Sequence, residues 1–135
     1  MDVMTKAQRS FNMSRIRCKD TVPEMVVRRL THQMGYRFRL HSSKLPGKPD
    51  LVFSRRHKVI FVHGCFWHMH SCSNGQVRPK NNAEFWQAKR VGNSERDKRS
   101  YAELRKTGWD TLVIWECETK NAEVLCQRIH AFLSE

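Results

Sequence analysis

Residues 50–72 read DLVFSRRHKVIFVHGCFWHMHSC, and this stretch contains the two apolar runs on which the predicted sheet is built. After Asp50 it has a short apolar segment at residues 51–53, then a charged turn, and then residues 59–62, which are apolar at every position. Two apolar runs joined by a polar turn predict a strand hairpin, and an uninterrupted apolar run predicts a strand covered on both faces. We therefore expect a hairpin whose second strand is central in the sheet.

Patterns on either side of this hairpin predict the remaining elements. Residues 21–24 have the form of a helix-capping box, an apolar stripe follows at helical spacing, and Gly35 ends the helix. Residues 109–115 contain another buried strand, and residues 122–133 form an amphipathic helix. The other expected elements are an alternating strand over 36–40, a helix from residue 81 that breaks at Gly92-Asn93, and a second helical stretch that ends at Gly108.

The order of these elements predicts the fold class. Helix, strand, hairpin, helix, strand and helix in succession are typical of a single α/β domain with a mixed central sheet flanked by helices. Residues 1–20 are basic and lack an apolar face, which predicts a mobile N-terminal arm ahead of a folded domain over 21–135. The residues expected to face the core near the C-terminus are Trp109, Trp115, Val124, Leu125, Ile129, Phe132 and Leu133.

The charge of the chain indicates a polyanionic partner. Lys and Arg total 25 against 13 Asp and Glu, which gives a formal net charge of +12 and a pI near 10.0. The sequence shows no apolar run of about 18 residues, signal peptide or lipidation motif, which disfavours a membrane. Five cysteines without a secretory signal indicate a reducing compartment and thiolates that bind metal. We therefore expect a cytoplasmic protein that binds nucleic acid.

The segment that follows the hairpin has the composition of a metal-binding loop. Residues 63–72 contain three histidines and two cysteines, a density that core packing alone does not produce. Cys65, His70 and Cys72 have the spacing of three ligands of a structural zinc, which takes thiolate and imidazole in a closed tetrahedron. His68 is an alternative to His70 in this set.

The fourth zinc ligand has three candidates elsewhere in the chain. Cys18 lies on the expected mobile arm, and Cys126 lies in a helix whose apolar stripe is complete without it. Cys117 follows a predicted strand and is the natural choice. The sequence therefore predicts a Cys₃His zinc site completed by Cys117.

Asp50 and His63 occupy positions where a hairpin can bring them together. Asp50 ends a Gly/Pro-rich loop at the start of one strand, and His63 ends the partner strand. A Pro-Asp pair followed by a strand that ends in a basic residue is the outline of the PD-(D/E)xK nucleases. The outline is incomplete here, because residues 61–63 lack the second carboxylate and histidine replaces lysine.

Segments beyond this outline carry a closer resemblance. They are RSFNM at 9–13, KDT at 19–21 with Glu24, LPGKPD at 45–50, VIFVHGCFWH at 59–68, EFW at 84–86, NSERD at 93–97 and WEC at 115–117. Together they resemble the very short patch repair (Vsr) DNA endonuclease family. This resemblance covers most of the chain and is far more specific than any single motif.

The resemblance implies a magnesium-dependent nuclease site. Asp50 would bind Mg²⁺ together with the backbone carbonyl of Val62. His63 and His68 would flank the attacking water and the scissile phosphate, and Glu24 would orient water or a hydrated metal behind them. It also implies that the zinc ligands are Cys65, His70, Cys72 and Cys117.

The resemblance also implies the substrate. Family members nick one strand of duplex DNA next to the T of a T:G mismatch, the lesion left when 5-methylcytosine deaminates. Phe66, Trp67 and Trp86 would wedge into the base stack, and the basic arm would wrap the DNA. The further implied DNA contacts are Arg9, Asn12, Met13, Arg15, Asn93 and Arg96.

Simpler structural explanations stand beside these assignments. Asp50 also fits a turn-forming residue after proline, Glu24 a capping-box residue and His63 a histidine at a strand end. An aromatic residue such as Trp86 near a helix start is more often part of the core.

Two other functions remain open at this point. One is a sequence-specific, restriction-like nickase of the same fold, and the other is a non-catalytic, zinc-stapled DNA-binding module. For the mismatch endonuclease, we expect a monomer in the bacterial cytoplasm, associated with the nucleoid, with a MutL-type repair protein as a candidate partner.

Overall fold

The computed structural model describes residues 21–65 and 83–134. The helices in these segments are α1 (Val22–Gln33), α2 (Ala83–Lys106) and α3 (Ala122–Ser134), and the strands are β1 (Arg39–Leu40), β2 (Leu51–Phe53), β3 (Lys58–His63) and β4 (Asp110–Trp115). Short 3-10 turns follow β2 at Ser54–Arg56 and β4 at Glu116–Lys120. Within the described segments, none of the helices combines the length and apolarity needed to cross a bilayer. The predicted α/β class is confirmed.

The four strands form one mixed sheet in the order β1-β2-β3-β4. β1 with β2 and β2 with β3 are antiparallel, and Leu51 lies opposite Ile60 in the predicted hairpin. β4 joins the other edge of β3 in parallel, with His63 opposite Trp115 at the end of the ladder. β3 therefore has a partner on each side, as the uninterrupted apolar run predicts.

The sheet is covered by helices on both faces. Strand side chains alternate between faces, so neighbours in β3 enter different clusters. One cluster joins the sheet to α1 and α3, and its buried members are Val27, Leu51, Phe53, Ile60, Ile114, Leu125, Ile129 and Leu133. The other joins the sheet to α2, and its buried members are Val52, Val59, Phe61 and Leu104. Trp109 packs against this second cluster, as expected.

The predicted helix break at Gly92-Asn93 is wrong. α2 runs without interruption from Ala83 to Lys106. A glycine inside a helix costs only about 1 kcal/mol relative to alanine, and tertiary packing offsets that amount. Leu104 of the same helix is fully buried against the sheet. Packing therefore decides the continuity of this helix.

Two smaller predictions also need correction. The strand predicted over residues 36–40 contains only Arg39–Leu40, because its partner β2 ends at Phe53 and the chain then enters the 3-10 turn Ser54–Arg56. Tyr36 and Phe38 still pack against the α1/α3 cluster, as their alternation predicts. Val124 does not face inward but is 48% exposed, since the face of α3 that meets the core is formed by Leu125, Ile129 and Leu133.

Gly47 fixes the loop that precedes β2. Its φ is +76°, and a Cβ at this position would lie 2.8 Å from Cβ of Ser100 and 3.0 Å from Cε1 of Phe61. The loop therefore lies directly against α2 and β3. Both the backbone conformation and the close approach require glycine here.

Replacing Gly47 with Ala is expected to lower the free energy of unfolding by roughly 2–4 kcal/mol, because overpacking adds to the strain of a positive φ. Urea denaturation measures the loss. Gly108→Ala is the matched control, since Gly108 has a φ of +88° but no atom within 4 Å of the added Cβ. Equal losses of unfolding free energy in the two variants would show that the close contact with Ser100 adds nothing to the cost of the substitution.

Candidate active site

Asp50 lies immediately before β2, where the hairpin holds its backbone and its carboxylate. Its N–H donates to the carbonyl of Ile60 at 3.1 Å. Its Oδ2 accepts a hydrogen bond of 2.7 Å from the N–H of Val62, across the hairpin. Asp50 is thus fixed beside the residue that precedes His63, as the spacing of the two residues predicts.

Glu24 reaches the same place from the first turn of α1. The residue is only 1% exposed, and its N–H donates to Oγ1 of the capping residue Thr21 at 3.4 Å. Its Oε2 lies 2.7 Å from Nε2 of His41 and 3.3 Å from Nη1 of Arg28. The backbone of Glu24 therefore serves the helix cap while its side chain faces His41.

His41 is a member of the site that sequence reasoning missed. It lies in the polar loop between β1 and β2, where no spacing motif marks it. Its N–H donates to the carbonyl of Asp50 at 3.1 Å. One ligand atom from each of Glu24, His41 and Asp50 lies within 4.8 Å of the other two, in the described part of the chain.

The electrostatics of this cluster suit a cation. Burial raises the pKa of Asp50 from 3.8 to about 7; the hydrogen bond from Val62 opposes this, and the negative charge of Glu24 adds to it. Arg28 is a positive partner for Glu24, and a second carboxylate beside this pair is costly to ionise without a further positive charge. Oxygen donors of this kind fit a hard divalent ion such as Mg²⁺.

The raised pKa predicts that the protein without bound cation loses stability as the pH rises. The folded state holds the Asp50 proton more tightly than the unfolded chain does. The contribution of this proton to the free energy of unfolding is therefore fully present below pH 3.8 and is lost as the pH passes about 7. The loss is on the order of a few kcal/mol.

Asp50→Asn should remove this pH dependence, since an amide oxygen can still accept from Val62 but carries no charge. Its melting temperature, relative to that of the parent protein, should rise progressively between about pH 4 and about pH 8 in buffer without added divalent cation. Parallel melting curves for the two proteins over this range would show that Asp50 ionises in the folded state as it does in the unfolded chain.

His63 ends β3 in a buried aromatic setting and is 6% exposed. Its ring lies between those of Phe61 and Trp115, each with a centroid separation of 5.5 Å. Its Nε2 lies 2.6 Å from the hydroxyl of Tyr101 and 3.7 Å from Oδ2 of Asp97. The imidazole is therefore held by α2 on one side and by the sheet on the other.

Asp97 and Tyr101 are further site residues that sequence reasoning missed. They lie four residues apart and so share one face of α2, a spacing that could have indicated a common role. Burial raises the pKa of the Tyr101 phenol, and the negative charges of Asp97 and Asp50 raise it further. The phenol therefore stays protonated and can donate its hydrogen bond to His63.

Cys65 and Cys117 lie together because β3 and β4 end in register. Each cysteine comes two residues after its strand, and His63 pairs with Trp115 at the strand ends. Sγ of Cys65, which is fully buried, accepts a hydrogen bond of 3.4 Å from the N–H of Cys117. Of the three cysteines proposed as the fourth zinc ligand, Cys117 is thus placed beside Cys65, while Cys126 lies on α3.

The remaining predicted site residues divide into two groups. Trp86 and Asn93 are half-buried and Arg96 is exposed, all on α2; the ring of Trp86 packs edge-to-face on Phe85 at 5.0 Å. The predicted residues that lie outside the described segments are Arg9, Asn12, Met13, Arg15, Phe66, Trp67, His68, His70 and Cys72.

Comparisons with known proteins identify the family of this chain. The family described as DNA mismatch endonuclease Vsr matches residues 1–74. The type II nicking enzymes V.NmeAIP of Neisseria meningitidis and V.XorIIP of Xanthomonas oryzae are 42% and 45% identical, over 99% and 98% of this chain and 95% and 96% of their own lengths. The DNA mismatch endonuclease Vsr of Escherichia coli is 43% identical over 92% of this chain and 79% of its own length. The chain therefore belongs to the Vsr family of DNA mismatch endonucleases.

Proposed function

We propose that this DNA endonuclease nicks one strand of duplex DNA next to the T of a T:G mismatch, by Mg²⁺-dependent hydrolysis of a phosphodiester bond. The observation that carries the proposal is the convergence of a fixed carboxylate and a fixed imidazole at one end of the hairpin. Asp50 is held by the N–H of Val62, and His63 is held by Tyr101. Family membership supports the DNA substrate.

Asp50 and the carbonyl of Val62 would hold the Mg²⁺. In a paired strand, the N–H and C=O of one residue face the same neighbour, so the carbonyl of Val62 faces the side where Asp50 accepts its N–H. A bound Mg²⁺ supplies charge neutralisation at the phosphate and lowers the pKa of a coordinated water. Glu24, buried behind Asp50, would orient water at the rear of the site.

His63 would take the proton from the attacking water. An imidazole accepts a proton near neutral pH, and the phenol of Tyr101 can hold Nε2 in place until it does so. The carboxylate of Asp97, 3.7 Å from Nε2, would stabilise the imidazolium that forms. His68 would flank the scissile phosphate opposite His63.

The wider assignments extend this proposal. The hairpin, with Asp50 at its open end, supports a PD-(D/E)xK-like nuclease fold. A zinc held by Cys65, His70, Cys72 and Cys117 would fix the loop after β3 to the end of β4. A stapled loop would present Phe66 and Trp67 rigidly to the base stack, with Trp86 on α2 as a further wedge.

The other DNA contacts in the proposal come from charged and polar residues. The basic arm contributes Arg9, Asn12, Met13 and Arg15, and α2 contributes Asn93 and Arg96. The protein would act as a monomer in the bacterial cytoplasm, on nucleoid DNA, and a MutL-type repair protein is its candidate partner.

A second candidate has specific support. Several relatives carry the name type II nicking enzyme, which favours a sequence-specific nickase as the alternative. Both candidates use the same residues for hydrolysis and differ in the DNA that they select. The built site around Asp50 and His63 argues against a DNA-binding module without catalysis.

The test is cleavage of a duplex that carries one T:G pair and a different label on each strand. With Mg²⁺, the protein should cut only the strand that contains the T, beside that T, and a buffer without divalent cation should give no product. Cleavage of both strands would contradict strand-specific nicking. Binding without cleavage of any duplex in Mg²⁺ would leave the non-catalytic module as the function.

A further inference from the structure

His41 is an imidazole that faces the carboxylates of the proposed cation site. We infer that His41 is a further protein ligand of the catalytic cation, beside Asp50 and the carbonyl of Val62 and next to Glu24, and that this imidazole makes the site prefer Mn²⁺ to Mg²⁺. The inference rests on the proposed function and goes beyond it by adding a nitrogen donor. It assigns this role to a residue that the family resemblance leaves without one.

The side chains already have the arrangement of a ligand set. Nε2 of His41 lies 2.7 Å from Oε2 of Glu24, and one ligand atom of each residue lies within 4.8 Å of a carboxylate oxygen of Asp50. The side chain of Glu24 is 2% exposed and that of His41 is 23% exposed. The imidazole therefore lies on the more open side of the cluster, where an ion can enter.

The backbone holds the side chain of His41 toward Glu24 and Asp50. Its φ of +48° places it in the left-handed region, where a non-glycine residue is uncommon and strained. Its N–H is bound to the carbonyl of Asp50 at 3.1 Å, so the loop is tied to the residue that carries the proposed metal ligand. Strain of this kind is found where the surrounding structure fixes a functional side chain.

The donor types decide the preferred ion. Carboxylate oxygens suit Mg²⁺ and Mn²⁺ alike, whereas an imidazole nitrogen suits transition metals and is a poor ligand for Mg²⁺. A site with Asp50, Glu24 and His41 should bind Mn²⁺ more tightly than Mg²⁺. Removal of the imidazole should lower the affinity for Mn²⁺ more than the affinity for Mg²⁺.

The experiment uses Mn²⁺ alone as the probe. Electron paramagnetic resonance measures how much Mn²⁺ the full-length, zinc-containing protein binds, and pulsed spectra detect nitrogen bound directly to the ion. We expect a direct nitrogen coupling in the parent protein and its loss in His41→Gln, with Mn²⁺ affinity lowered roughly tenfold or more. Glutamine keeps a hydrogen-bond donor for Glu24, so a purely structural role of His41 predicts little change in Mn²⁺ affinity.

Two further variants sharpen the result. His130→Gln is the control, because His130 contacts Tyr36 and is not a member of the Glu24, His41 and Asp50 cluster, so the coupling should stay unchanged. His63→Gln and His68→Gln should also keep the coupling, which leaves His41 as the imidazole donor in the proposed site even if His41→Gln does not fold.

Three results would overturn the inference. They are no Mn²⁺ binding at millimolar concentration, Mn²⁺ bound without direct nitrogen coupling, and a coupling that survives in folded His41→Gln. Strand-specific nicking with Mg²⁺ is measured separately on the same preparations. If nicking occurs but the nitrogen coupling is absent, the assignment of His41 fails and the proposed function stands.

Discussion

Asp50→Asn is expected to abolish nicking and to leave DNA binding nearly intact. The change removes one carboxylate ligand of the proposed Mg²⁺ while the amide oxygen can still accept the hydrogen bond from Val62. Loss of a group that only supports a metal ligand lowers metal affinity or activity by about 10–100-fold. Loss of the ligand itself should therefore lower the single-turnover rate by roughly a hundredfold or more. Removal of a negative charge that faces the phosphate should not weaken binding.

The measurement is single-turnover cleavage beside a binding titration on the same duplex. Asp110→Asn is the matched control, because Asp110 is an exposed acid at the start of β4, the opposite end of the parallel ladder from His63. Asp50→Asn is expected to stabilise the cation-free protein at neutral pH, so a folding defect cannot account for lost activity. A variant that retains more than a few per cent of the parent rate would place the metal site elsewhere.

Cys117→Ser is expected to cause loss of zinc and a large loss of stability. Cys65 and Cys117 meet where β3 and β4 end, so a zinc held there would join the central strand to the edge strand and to the loop between β3 and α2. Binding free energy of a structural zinc adds directly to folding, and it reaches about 10–16 kcal/mol in small zinc-dependent domains. That amount is comparable with the whole free energy of unfolding of a domain, about 5–15 kcal/mol.

Metal analysis and thermal melting of the purified protein check this expectation. The parent protein should contain one zinc, and a chelator should unfold it. Cys126→Ser is the control, since Cys126 lies on α3 and is outside the proposed ligand set. Unchanged zinc content and melting in Cys117→Ser would remove Cys117 from the site.

The central hairpin could be predicted because its signal is local. Residues 59–62 are apolar at every position since both faces of β3 are covered, one by α1 and α3 and the other by α2. The same pattern places Asp50 beside the end of β3. Family resemblance then assigns it a role that the spacing alone does not fix.

Other parts of the site depend on contacts between residues far apart in sequence. His41 meets Glu24 across 17 positions, and Tyr101 meets His63 across 38 positions. No local period marks such pairs, because the sheet and α2 bring them together only after the chain has folded. The continuity of α2 through Gly92 has the same origin, since burial of Leu104 outweighs a weak local preference.

The most direct test of mismatch-directed nicking compares the cleavage rate of a T:G duplex with that of the matched duplex, across a panel of flanking bases. A wobble pair is easier to unstack than a matched pair, and unstacking costs a few kcal/mol per step, so insertion of Phe66, Trp67 and Trp86 should favour the mismatch by roughly a hundredfold or more. We expect a nick beside the T in at least one flanking context, with the corresponding matched duplex left nearly uncut. Equal rates on matched and mismatched duplexes in every context would contradict mismatch-directed nicking and leave the sequence-specific nickase in its place.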